Sequence, residues 1–148
     1  MVLISGDDDV LISRSLNEYV EKALGDEDKS LALEELTEEN YRSSEQFHIS
    51  KLVDSAQTAP FLTQSRVVVG RHMGRFSKKD DLEPLVEYLN SPLETTSLIL
   101  VWEKGNNPQQ QRLSPVPKSL LEAIENSGGI LEKLTTGKGK QAEKWLAE

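Results

Sequence analysis

Three carboxylates in a row, Asp7, Asp8 and Asp9, follow Gly6 where a first apolar run gives way to a helical pattern. In nucleotide-binding proteins that turn holds phosphate on backbone amides, and it needs glycines, a lysine and a Ser/Thr in a fixed order. Here it reads SGDDDVLIS, with no second glycine, no lysine and no Ser/Thr in the required place. Carboxylates at a helix start cap free amides and suit the helix dipole, and they repel phosphate. The turn therefore reads as a cap with solvated charge rather than as a phosphate or Mg²⁺ site. The run GKGK at Gly137 to Lys140 lacks the spacing of a phosphate loop, and Trp102-Glu103 is at best half of the acidic motif of a nucleotide hydrolase. His48 and His72 each stand without a partner at metal-ligand or triad spacing. The chain has no cysteine, which excludes disulfides, thiolate metal sites and cysteine nucleophiles. The sequence offers no catalytic, metal or cofactor-binding residue.

What remains is binding chemistry. The junction AQTAPFLTQSRVVVG, Ala56 to Gly70, joins a helix end, an apolar pair on a turn and a β-branched strand. Phe61 and Leu62 stand between Thr58 and Pro60 on one side and Thr63, Gln64 and Ser65 on the other. Connecting segments often tuck a large side chain inward, and on the residues alone that reading is favoured. The alternative is an exposed aromatic–aliphatic anchor that fills a partner's pocket. A second candidate surface is GRHMGRFSKK, Gly70 to Lys79, a basic run in an acidic chain that holds Arg71, His72, Arg75, Lys78 and Lys79. It reads first as a solvated loop at the C-terminal edge of a sheet, and otherwise as a contact to an acidic partner or a DNA backbone.

The elements that position these residues follow from periodicity. Val2 to Ser5, Val67 to Val69 and Thr96 to Trp102 are apolar on both faces and predict central strands of a covered sheet. Ser30 to Leu33 predicts a weak edge strand, and Ile130 to Leu134 a fifth strand. Helical faces appear at Ile12, Leu16, Tyr19, Val20 and Ala23; at Ile49, Leu52, Val53 and Ala56; at Leu82, Leu85, Val86 and Leu89; and at Leu120, Leu121 and Ile124. Pro60 disfavours helix at Ala59 and so ends the second of these. The acidic stretch Glu34 to Glu45 reads as a loop with one helical turn, without an assignable function. The pattern is strand–helix repeated, an α/β fold with a five-stranded, mostly parallel sheet and helices on both faces. At 148 residues this is one domain. A final helical pattern from Lys140 to Leu146, carried by Ala142, Trp145 and Leu146, stops at Glu148 with hardly two turns complete, which predicts a piece of a longer protein.

The net charge of −8 opposes non-specific nucleic-acid binding by the domain as a whole. No apolar run approaches the roughly 20 residues of a membrane span, and there is no signal peptide. The expected location is the cytoplasm, with no membrane partner.

The blocks VLISGDDDVLI, AQTAPFLTQSRVVVGR, TSLILVW and KLTTGKGKQAEKWL, with the spacing between them, resemble the N-terminal domain of the bacterial DNA polymerase III delta subunit, over essentially the whole chain. The junction is the most specific block, because that family carries a Pro-Phe-Phe-like element followed by an arginine and a valine-rich strand. The resemblance implies an ATPase-like (AAA+/RecA-like) domain of the clamp-loader type without a functional P-loop, in keeping with the SGDDDVLIS turn. It implies a protein that is not itself an enzyme but belongs to a DNA-directed DNA polymerase (nucleotidyltransferase) complex. It binds and opens the sliding clamp in DNA replication, joins other loader subunits through domains absent from this chain, and meets DNA only indirectly. No cofactor is implied. The family's clamp-contacting dipeptide carries over to Phe61 and Leu62, which turns the expectation for the pair from core to exposed anchor. Thr63, Gln64, Arg71 and Arg75 are the expected supporting contacts. The rival functions are a degenerate nucleotide-binding domain of the same fold and a nucleic-acid-binding module reading through Arg71 to Lys79.

Overall fold

The computed structural model describes residues 1–6, 8–44, 46–76, 78–103, 113, 115–134 and 143–145, with backbone alone at 79 and 143–145. Asp7, the GKGK run and most of the loop after Glu103 lie outside the described residues. The strands are β1 (Val2–Gly6), β2 (Leu33–Leu36), β3 (Arg42–Ser43), β4 (Gln46–Phe47), β5 (Arg66–Gly70), β6 (Thr96–Trp102), β7 (Ile130–Leu134) and β8 (Glu143–Trp145). The helices are α1 (Asp9–Leu24), α2 (Lys29–Ala32), α3 (Glu38–Tyr41), α4 (Ser50–Gln57), α5 (Lys79–Leu89) and α6 (Lys118–Asn126), with a 3₁₀ turn at Met73–Arg75. The main sheet has the order β2-β5-β6-β1-β7-β8. The first five of these strands pair in parallel, and β8 pairs antiparallel with β7.

Alternation along the central strands sends side chains to two cores. Leu3, Val68, Leu98, Leu100 and Trp102 face α3, α4, α5 and α6, while Val2, Ile4, Val67, Val69, Ile99 and Val101 face α1 and Ala32 of α2. That is why these strands read as unbroken apolar runs: each face of the sheet is covered. Gly6 closes β1 against β7, since a Cβ there would stand 2.2 Å from the Leu134 carbonyl oxygen.

The structure corrects the sequence reading in three places. Ser30 to Ala32 are helical rather than extended. Asp28 caps that turn, its Oδ1 accepting from the Ser30 amide at 2.9 Å and the Ser30 hydroxyl at 2.8 Å, and the edge strand begins at Leu33. The acidic stretch is structured as β2, α3 and the β3–β4 hairpin. The helix expected from Lys140 to Leu146 is replaced over the described residues 143–145 by β8, which places Trp145 opposite Leu131. So short a helix is marginal by itself, whereas the outer edge of β7 offers unpaired backbone groups to a strand.

Candidate partner-binding site

Helix α4 ends where Pro60 requires. Its C-cap Thr58 is extended, and the Thr58 hydroxyl donates back to the Asp54 carbonyl at 2.8 Å. The chain then makes a turn at the N-terminal end of β5. Here Phe61 and Leu62 are 78% and 73% exposed, in a protein whose other large apolar side chains are mostly buried. The pair is not part of the core. Leu62 has φ +69°, the left-handed region, where a branched L-residue is strained by about 1–2 kcal/mol. Local bonds hold this conformation. The Thr63 hydroxyl donates to the Ser65 carbonyl at 2.9 Å, and the Gln64 amide donates to Glu27 Oε2 at 3.1 Å, tying the turn to the connection between α1 and α2. Phe61, Leu62, Thr63 and Gln64 thus lie together on one tethered turn.

Sequence reasoning passed over Arg66. Its Nη1 donates to the carbonyls of Ser55 (2.5 Å) and Thr58 (3.1 Å), and its Nη2 to Glu34 Oε1 at 2.6 Å. The Ser55 hydroxyl donates to the same Glu34 oxygen. The Arg66 amide donates to the Thr95 carbonyl at 2.9 Å. One guanidinium therefore joins both ends of the turn to the edge strand β2. The signal available in sequence was an arginine at the first position of an otherwise apolar strand.

Arg71 and Arg75 do not join this surface. They follow the C-terminal end of β5, about 15 Å of strand away at ~3.3 Å per residue, and both are engaged internally. Arg71 grips Glu103 with two parallel bonds, Nε to Oε2 at 2.6 Å and Nη2 to Oε1 at 3.0 Å, and lies 3.9 Å from Glu35. The Glu103 carboxylate raises the guanidinium's pKa against the opposing effect of burial. Arg75 lies 3.8 Å from the buried Glu38 carboxylate and 4.0 Å over the Phe47 ring centroid. His72, at φ +57°, donates its amide to Glu103 and accepts the Glu38 amide on Nδ1 at 2.9 Å. The acidic stretch thus supplies counter-charges for Arg66, Arg71 and Arg75. At the start of α1, Asp8 Oδ1 accepts the amides of Val10 (2.8 Å) and Leu11 (3.2 Å), so the amides a phosphate would seek already have a carboxylate. No group of three or more His, Asp or Glu side chains suited to a metal occurs among the described residues.

The family model described as "DNA polymerase III, delta subunit" matches residues 3–124. Among solved structures, the DNA clamp loader delta protein of Bacillus subtilis superposes with a TM-score of 0.62 at 15% identity, covering 90% of this chain and 38% of its own. A DNA polymerase III gamma subunit-related protein of Thermotoga maritima gives a TM-score of 0.46 at 20% identity, covering 84% of this chain and 44% of its own. This chain therefore spans less than half the length of either structure. A comparison with curated proteins gives no match. No helix of the described residues is long and apolar enough to cross a membrane.

Proposed function

We propose a mechanical function from one premise: the chain belongs to the DNA polymerase III delta-subunit family. In this reading the domain grips the sliding clamp, with Phe61 and Leu62 filling an apolar pocket on it. The observation that carries the reading is the exposure of those two side chains on a strained, tethered turn. Burying an aromatic and a leucine contributes about 3–5 kcal/mol before association costs. Thr63 and Gln64, on the same turn, are the supporting contacts. A ligand opens a ring only by binding the open form better than the closed one, so the grip includes surface beyond the pair. Gln57, Tyr88 and the Ser91–Thr95 loop line an open depression of about 680 Å³ beside the base of the turn and offer that surface.

Two observations support a domain that works without nucleotide chemistry. Asp8 occupies the amides at the start of α1, and Glu103 is held by Arg71. The nucleic-acid reading loses its two arginines, since Arg71 is paired with Glu103 and Glu35 and Arg75 with Glu38. Contact with DNA is then indirect, through the clamp.

The test is calorimetric titration of this chain with the sliding clamp of its own organism, beside the Phe61→Ala/Leu62→Ala double variant. Micromolar or tighter binding is expected, and the double variant weakens it at least 100-fold, equivalent to about 2.7 kcal/mol, with an unchanged circular dichroism spectrum and melting temperature. Equal binding by parent and variant refutes the anchor.

A further inference from the structure

Six polar contacts lie where the exposed turn leaves α4 and enters β5, and four of them are made by Arg66, whose side chain is only 12% exposed. Its Nη1 takes two carbonyls from the last turn of α4 and its cap, Ser55 and Thr58. Carbonyls at a helix C-terminus carry the negative end of the dipole, so a guanidinium is well matched to them, and at Ser55 it adds to the Thr58 amide bond at 3.2 Å. Its Nη2 takes Glu34 on β2, which also receives the Ser55 hydroxyl. The strand's own pairing fixes the Arg66 backbone through Thr95. Residues 58 and 66 are thereby joined, and the segment between them is a closed loop whose apex carries Phe61 and Leu62. The Glu27 bond to the Gln64 amide pins a third point.

We propose that Arg66 is a positioning residue for the Phe61–Leu62 anchor: its guanidinium closes the loop and keeps Leu62 in the left-handed conformation that the partner reads. The inference rests on the anchor reading given above. A leucine released from its constraints leaves the left-handed region for the commoner basins. Apparent affinity falls by the fraction of molecules still holding the competent shape. The penalty of that region for an L-residue corresponds to roughly a tenfold drop in that fraction. Lysine cannot replace the fork, because its single ammonium lacks the planar spread of donors that reaches three acceptors on two elements.

The experiment uses the whole chain with Arg66→Met, Arg66→Lys and Glu34→Gln, the last leaving the arginine and its two carbonyl bonds in place. Amide hydrogen exchange is followed residue by residue in the free chain, and affinity for the clamp is measured by calorimetry. For Arg66→Met and Arg66→Lys, exchange at the hydrogen-bonded amides of the turn, Gln64 and Arg66, speeds up at least tenfold while the amides of β6 and α1 change far less. Clamp affinity drops about tenfold. Glu34→Gln gives a smaller change with the same distribution. A role confined to general stability would accelerate exchange across the whole domain instead, and that pattern overturns the proposal. So does unchanged exchange in the turn. If the Phe61→Ala/Leu62→Ala variant loses binding while both Arg66 variants bind like the parent, the anchor stands and the positioning role falls. If the parent itself does not bind the clamp, the anchor reading fails; the exchange data then decide whether Arg66 holds the turn.

Discussion

Arg71→Met separates an internal role of the basic run from a role at a partner surface. The Arg71 side chain is 24% exposed and that of Glu103 10%, and two short bonds join them. Removing one partner of a fully buried ion pair costs about 3–5 kcal/mol because the other charge is left uncompensated. Partial exposure lets water recover some of that, so about 2–3 kcal/mol is expected here. Glu35, at 3.9 Å and nearly half exposed, adds a few tenths at most. With a urea slope of about 2 kcal/mol per molar, the unfolding midpoint moves down by about 1–1.5 M. Trp102, buried beside Glu103, gives a fluorescence readout. The paired variant Arg71→Met/Glu103→Leu recovers part of the loss, since no lone carboxylate remains. Clamp affinity, measured well below the unfolding midpoint, stays within twofold of the parent. A midpoint shift below about 0.2 M together with a tenfold loss of clamp affinity would place Arg71 at the partner surface and refute the account of the internal pair.

Leu62→Gly removes both the left-handed strain and the anchor side chain. Strain relief of about 1–2 kcal/mol is offset by about 0.5–1 kcal/mol of extra unfolded-state entropy, so melting temperature holds or rises slightly while clamp affinity drops tenfold or more. Gly6→Ala drives a Cβ to 2.2 Å from the Leu134 carbonyl oxygen. Such overpacking costs about 1–3 kcal/mol, some 3–10 °C in melting temperature, which calorimetry of the variant checks. Burial raises the pKa of Tyr41, and burial with the 2.5 Å bond to Glu132 raises that of Tyr19, both from an ordinary value of 10.0. Groups whose folded pKa is raised stabilise the fold fully below the unfolded value and lose that contribution as pH climbs above it. Stability is therefore flat with respect to these tyrosines up to about pH 10 and falls beyond it; phenolate absorbance from both on alkaline titration should appear together with unfolding. Two phenolates forming in a still-folded chain contradict the burial argument.

The sheet was legible because its residues answer to local rules. Val67 to Val69 and Leu98 to Trp102 are apolar at every position, and only a strand covered on both faces accommodates that. The order of burial in space, with β5, β6 and β1 inside and β2 at an edge, followed from the same runs. The charges were not legible in this way. Glu34, Glu35 and Glu38 lie in one run of the sequence, Arg71 and Arg75 in another that reads as solvated, and Arg66 at the head of an apolar strand. They meet because β2 pairs with β5 in the register Leu33 opposite Val67, and a register between strands more than thirty residues apart is not written in either strand alone. The strand β8 escaped for a related reason: three apolar positions at helical spacing cannot outweigh a free sheet edge that only the folded β7 presents. Phe61 and Leu62 sat between the two cases. Composition alone argued for inward packing, and the family resemblance argued for exposure.

The two ends of this sheet have exchanged their usual importance. In open α/β sheets ligands bind outside the carboxyl ends of the strands, where helix starts present free amides and loops present polar side chains. Among the described residues that end is closed from within. Asp8 caps α1, Arg71 and the His72 amide take up Glu103, and Arg75 lies between Glu38 and the Phe47 ring. The contacts of Asp8 and Glu103 satisfy groups that a nucleotide or a metal would otherwise find free, while Glu38 Oε2 stays without a hydrogen bond 3.8 Å from Arg75. The two most exposed large apolar side chains, Phe61 and Leu62, lie at the opposite end, where α4 turns into β5 and Leu62 is held at φ +69°. Large exposed side chains held in a strained conformation against solvent contribute nothing to folding and detract from solubility. In the reading proposed above, binding accounts for their retention, and the ion pairs at the carboxyl end brace the sheet that carries the turn.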